Sequence, residues 1–75
     1  MIDINAVTDI MGAVELYRNI YRSLNLMPEQ RRRVFVLSRY RNMSNEEIAA
    51  LLKLSKRTVE GHISEALKDL RKSVN

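Results

Sequence analysis

A chain of 75 residues has room for one domain with a small core. With 45% hydrophobic residues, two Gly and one Pro it is neither disordered nor loop-rich, and with no Cys it has neither a disulfide scaffold nor a Cys-ligated zinc site. The absence of Cys fits a reducing cytoplasm, the lack of a span-length apolar run and of a basic-then-apolar leader leaves no expected membrane role, and the formal charge of +4 is modest.

The first predicted element is a helix over residues 4–25. Val7, Ile10, Met11, Val14, Tyr17, Tyr21 and Leu24 recur at three- and four-residue spacing, which predicts a buried stripe. Ala13, Leu16 and Ile20 lie beside or behind it, so the apolar arc is wider than a surface helix needs. Either other helices wrap around this one, or part of the arc is a docking surface for another protein. Asn25 closes the helix, because Pro28 follows and disfavours helical geometry in the residue before it.

Pro28 suits the first position of a second helix, with Glu29 at the positive end of its dipole, and this helix is expected to run to about Arg41. The run Val34-Phe35-Val36-Leu37 has strand-forming residue types, but its flanks favour helix and no second strand exists to pair with it. An apolar segment on all sides of a helix implies contact on two sides, so this is the expected central helix. Asn42 tolerates the left-handed conformation that often closes a helix, and Met43 is placed to pack as a staple ahead of the next one.

Residues 44–71 carry the strongest local signals. Ser44 and Glu47 have the spacing of a capping box, and Ile48, Leu51 and Leu52 then share a face. Ala49 and Ala50 are small enough for a second helix to approach closely. Lys53-Leu54 is too short for an independent loop, and Ser55 supplies another N-cap. Beyond it Val59, Ile63, Ala66, Leu67 and Leu70 fall within roughly a third of the helix circumference. The opposite face carries Arg57, Gly61, Ser64, Lys68 and Lys72, flanked by Glu60, Glu65 and Arg71. Two helices joined by a very short turn, the second with an apolar inner and a cationic outer stripe, make a helix-turn-helix that reads a major groove. The charge agrees. Residues 1–25 hold two Arg against Asp3, Asp9 and Glu15, or −1, whereas residues 26–75 hold eleven Lys or Arg against six Asp or Glu, or +5. The expected fold is all-α, four helices in one domain over residues 1–75, with residues 1–14 extending the first helix and the helix-turn-helix over 44–72. This is a three-helical DNA-binding type with one extra N-terminal helix.

Arg57, Glu60, Gly61 and Ser64 are candidates for base-edge contact, since they occupy the outer face of the half that enters the groove. Glu60 can accept from a cytosine amino group, and Gly61 leaves room for close approach. Glycine inside an exposed helix costs about 1 kcal/mol relative to alanine, which suggests a steric need on that face. Lys56, Thr58, Glu65, Lys68 and Arg71 complete the candidate DNA-binding set, with Lys56, Lys68, Arg71 and Lys72 available for phosphate contacts that add affinity without sequence choice. For each, the plain alternative is a solvated surface residue, preferred for Lys72 near the end of the helix. His62 lies between the inner and outer faces, and with no Cys and no second His there is no case for a metal site or another cofactor. Of Arg31, Arg32 and Arg33, at most two can share one surface. Tyr17, Tyr21 and Tyr40 read as core or rim. Ser64 lies two residues from His62, about 200° around a helix, which forbids a hydrogen-bonded pair and leaves no catalytic constellation.

Met27-Pro28, Arg33-Val34-Phe35, Ser44 to Ala49, Leu52 to Ser55 and Thr58-Val59 together resemble region 4 of sigma-70 family factors, most of all the extracytoplasmic-function group, over roughly residues 15–72. The resemblance implies promoter recognition at the −35 element during transcription initiation, with Glu60, Gly61, Ser64 and Glu65 at base-reading positions. It also implies docking of the apolar surface of the first and second helices on the flap of the RNA polymerase β subunit, an anti-sigma factor that masks that surface, and no enzymatic activity. Lys53 stands where that family usually has Gly, which implies either strain or a different turn geometry there. Region 2 has no counterpart here, so the chain is expected to be an excised or naturally isolated C-terminal domain, monomeric or weakly self-associating. Ser44 to Ala49 and Thr58 to Ile63 are also similar to LuxR-type output domains of transcription regulators, which would imply a dimerising activator. A third reading is a helical protein–protein module whose basic helix meets an acidic partner.

Overall fold

The computed structural model describes residues 4–74, with side chains from residue 12 to residue 73, as four α-helices and no strand among them. They are α1 (Ile4–Leu26), α2 (Glu29–Arg39), α3 (Asn45–Leu52) and α4 (Lys56–Val74). The all-α expectation therefore holds, with small shifts at the ends. Pro28 is the N-cap of α2 and not its first helical residue, and α2 stops at Arg39, followed by Tyr40 as C-cap. Asn42 takes the expected left-handed conformation, with φ of 54°.

The core has two centres, and α2 contributes to both. Leu24, Met27, Phe35 and Ala66 form one, with Ile20 and Leu70 packed against it. Val34, Ile48 and Val59 form the other, inside the helix-turn-helix, flanked by Leu37, Met43, Ala49, Leu52, Leu54 and Ile63. Adjacent residues Val34 and Phe35 thus serve different centres, because successive side chains on a helix diverge by about 100°. Two-sided contact holds for α2, but the expectation that α2 is the central helix does not: α4 packs against α1, α2 and α3. The reason is its longer inner stripe, whose Val59 serves one centre and Ala66 the other.

Apolar expectations are corrected at four places. Val14, Tyr17 and Tyr21 are exposed, and of the described residues in the proposed α1 stripe only Leu24 is buried. Val7, Ile10 and Met11 lie outside the described side chains. Among the described residues of α1, the packing against α4 lies at the C-terminal end, at Ile20 and Leu24. Tyr40 is also exposed and belongs to neither centre. On α3, Leu51 points to solvent while Ile48 is fully buried. Leu51 is three residues on and about 60° off the Ile48 direction, whereas Leu52 falls on the other flank, toward α4. Leu67 on α4 is likewise at the exposed margin of the inner stripe.

Candidate nucleic-acid interface

The arrangement that would meet DNA starts with two caps. At α3 the Ser44 hydroxyl accepts from the Glu47 amide at 3.1 Å, and the Glu47 carboxylate accepts from the Ser44 amide at 3.0 Å, the reciprocal capping box. The hydrogen bonds of the Ser44 amide and hydroxyl hold the Glu47 carboxyl below the usual carboxylate range. Met43 precedes the cap and packs in the same centre as Ile48, four residues into the helix, as a hydrophobic staple requires. At α4 the Ser55 hydroxyl accepts from the Thr58 amide at 3.0 Å and donates to the Thr58 hydroxyl at 2.8 Å.

Between the caps, α3 closes on Lys53, which is left-handed with φ of 56°. The Leu54 amide donates back to the Ala49 carbonyl at 2.9 Å, the six-to-one bond of a Schellman closure, and Leu54 and Ala49 pack in the same centre. The turn is therefore short and fixed at both ends. It carries one non-glycine residue in a region that costs roughly 1 kcal/mol for a side chain with a Cβ.

This turn presents α4 with its inner stripe on the core and its outer face open. Lys56, Arg57, Thr58, Glu60, Gly61, Ser64, Glu65, Lys68 and Arg71 are all exposed. At about 100° per residue, Arg57, Gly61, Ser64, Lys68 and Arg71 lie within roughly 80° of arc, with Glu60 and Glu65 at its two borders. Lys56 and Thr58 flank the arc at the N-terminal end. His62 is half-buried, between the faces as expected. Beyond the backbone of its own helix turns and its chain neighbours, a Cβ placed on Gly61 would meet nothing within 4 Å, so packing inside the protein does not demand glycine there.

Ion pairs thin the cationic character of this face unequally. Lys68 Nζ lies 3.4 Å from the Glu65 carboxylate one turn back. Lys56 Nζ lies 2.8 Å from the Glu46 carboxylate on α3, a contact that local sequence signals do not reveal because it depends on the angle between the two helices. The hydrogen bond between them lowers the Glu46 carboxyl and raises the Lys56 ammonium. Both side chains are largely exposed, so the pair is readily exchanged for another anion. Arg57 and Arg71 make no ion pair among the described residues. The other arginine run divides as expected: Arg31 turns inward to Asp69 on α4 and Arg33 pairs with Glu29 within α2. Among the described residues no cluster of acidic or histidine side chains could hold a metal, and no helix is long and apolar enough to cross a membrane.

A family model described as sigma-70, region 4 matches residues 17–70. No curated protein and no solved structure matches the chain.

Proposed function

We propose, for a chain that belongs to the sigma-70 region 4 family, that the outer face of α4 reads promoter DNA at the −35 element for a factor of the extracytoplasmic-function group. The family is a DNA-binding one of transcription initiation and not an enzymatic one. Arg57, Glu60, Gly61 and Ser64 meet base edges, while Lys56, Thr58, Lys68 and Arg71 meet phosphates and Glu65 borders the reading face. The observation that carries this reading is Gly61. An exposed glycine in mid-helix sacrifices helix stability, and with empty space around it the compensating requirement lies in whatever approaches from outside. A groove wall meets that description, with the guanidinium of Arg57 one turn before it and the Lys68 ammonium two turns after.

The partners of this reading are double-stranded promoter DNA and the core RNA polymerase. The β flap would dock on apolar side chains of α1 and α2, and an anti-sigma factor would compete for the same surface. Glu60 and Glu65 make the reading face mixed in sign, so affinity for DNA alone is modest and the polymerase holds the face at its site. Fluorescence anisotropy with −35-type and scrambled duplexes across a salt series tests the proposal. Binding that weakens steeply with salt and falls when Arg57 and Lys68 are changed to Ala, at unchanged helical circular dichroism, supports it. Absence of binding at low salt, or binding indifferent to salt, overturns it.

A further inference from the structure

Lys56 opens α4 and Arg57 follows it, so two cations sit in the first turn, where the helix dipole is positive. That turn holds no acidic residue of its own. The anion that meets Lys56 comes instead from α3, where the Glu46 carboxylate lies 2.8 Å from Lys56 Nζ. A weaker attraction from Glu60, one turn on, adds to it. Each partner holds the other in its charged form, with the carboxyl lowered and the ammonium raised.

The fold does not need this pair. Ile48 and Val59, both fully buried, hold α3 to α4, with Leu52, Leu54 and Ile63 packed around them. The turn is closed by the Leu54 amide, which donates to the Ala49 carbonyl. The pair lies outside that core, at 55% and 67% side-chain exposure, where an ion pair contributes little to stability. Its location sets it apart. The pairs Arg33–Glu29 and Lys68–Glu65 each lie within one helix. Lys56–Glu46 joins both helices of the helix-turn-helix, at the end of α4 that enters the groove.

We propose that Glu46 is a brake on DNA binding: its carboxylate occupies Lys56 in the free protein, in the place of a backbone phosphate. The inference rests on the DNA reading given above and deepens it. A phosphate that takes Lys56 must displace Glu46, which then stands uncompensated beside the DNA backbone. Both effects lower affinity. Neither depends on base sequence, because a phosphate contact carries no sequence choice. The pair thereby limits the time the free domain spends on DNA of any sequence.

Fluorescence anisotropy of the full chain, with −35-type and scrambled duplexes over a salt series, tests it. Glu46→Gln should tighten binding to both duplexes by about three- to fivefold at low salt, the upper range of an exposed ion pair. The ratio between the duplexes should stay the same, and the slope of log affinity against log salt should steepen by up to about 0.9. Arg31, close to Glu29 in sequence, bonds Asp69, which is roughly 20 Å along α4 from Lys56. Glu29→Gln therefore makes the same change of net charge at a distance that salt screens, and its effect should be smaller. In a Lys56→Gln chain, Glu46→Gln should gain less than it does in the native chain. Glu46→Ala, which also removes the hydrogen-bond acceptor, is read against the same expectation at unchanged helical circular dichroism. Binding that Glu46→Gln leaves unchanged, or tightens no more than Glu29→Gln does, overturns the proposal and leaves the DNA reading standing. An equal gain with and without Lys56 overturns it too, since the carboxylate would then act on DNA directly. Absence of binding at low salt by the native chain and the variant alike overturns the DNA reading, and the proposal with it.

Discussion

The Arg31 guanidinium donates to the Asp69 carboxylate at 2.6 Å, joining α2 to α4 across 38 residues of sequence. Both side chains are about three-quarters buried, at 24% and 28% exposure, and the Ser23 hydroxyl donates to the Asp69 backbone carbonyl at 3.2 Å. Asp69 is therefore where α1, α2 and α4 are tied together beside the Leu24–Phe35–Ala66 centre. Arg31 Nε is buried without a hydrogen-bond partner, so the carboxylate is what compensates the guanidinium there. Asp69→Ala should destabilise the fold by about 1–3 kcal/mol, since it strands a partly desolvated charge. Urea unfolding checks this, and a change below about 0.5 kcal/mol would reduce the pair to an ordinary surface contact.

Gly61 separates stability from binding. Alanine there meets open space and gains helix propensity, so Gly61→Ala should stabilise the fold by about 0.5–1 kcal/mol. The same methyl group should weaken DNA binding, because it projects from the center of the proposed reading face. Thermal melts and anisotropy on one preparation give both signs. Unchanged DNA affinity in a stabilised variant would remove the steric argument for glycine.

Lys53 offers the opposite substitution. Its left-handed backbone is strained for any residue with a Cβ, and its side chain is exposed. Lys53→Gly should stabilise the chain by up to about 1 kcal/mol, less the added freedom of glycine in the unfolded state. A loss of stability in chemical denaturation would mean that the lysine side chain contributes more than its backbone costs.

Acid should loosen the helix-turn-helix. Glu47 and Glu46 have carboxyls lowered in the folded state, by the Ser44 amide and by Lys56 respectively. A depressed carboxyl binds its proton less readily when folded, so its contribution is complete above the unfolded value near 4.5 and is lost as pH falls through the lower folded value. Melting temperature should be flat from neutral pH to about 5 and then fall. Glu47→Gln keeps an acceptor for the Ser44 amide and should flatten part of that fall. An identical acid profile in the variant would place the effect elsewhere. Lys56, raised by Glu46, has the reverse sign: its stabilisation is present below the unfolded value of 10.5 and fades at higher pH.

What was legible in the sequence was local. The capping box at Ser44 and Glu47, the second cap at Ser55, the left-handed Asn42 and the short closure at Lys53-Leu54 are each decided by residues a few positions apart. The sequence therefore located all four helices and the turn between α3 and α4. Periodicity also placed Arg57, Gly61, Ser64 and Lys68 on one face of α4, because a helix fixes the angle between its own residues whatever surrounds it.

Tertiary structure decided which faces are covered. The spacing of Val14, Tyr17 and Tyr21 shows that they share a side of α1, but burial depends on whether another helix reaches that side, and α4 ends its contact near Ile20. It decided that α4 packs along all three other helices, which no local signal reveals. It also made the partnerships of Arg31 with Asp69 and Lys56 with Glu46, which join different helices and depend on how those helices cross. A residue's angle around its own helix is set by local covalent geometry, whereas its neighbours are set by how the helices dock.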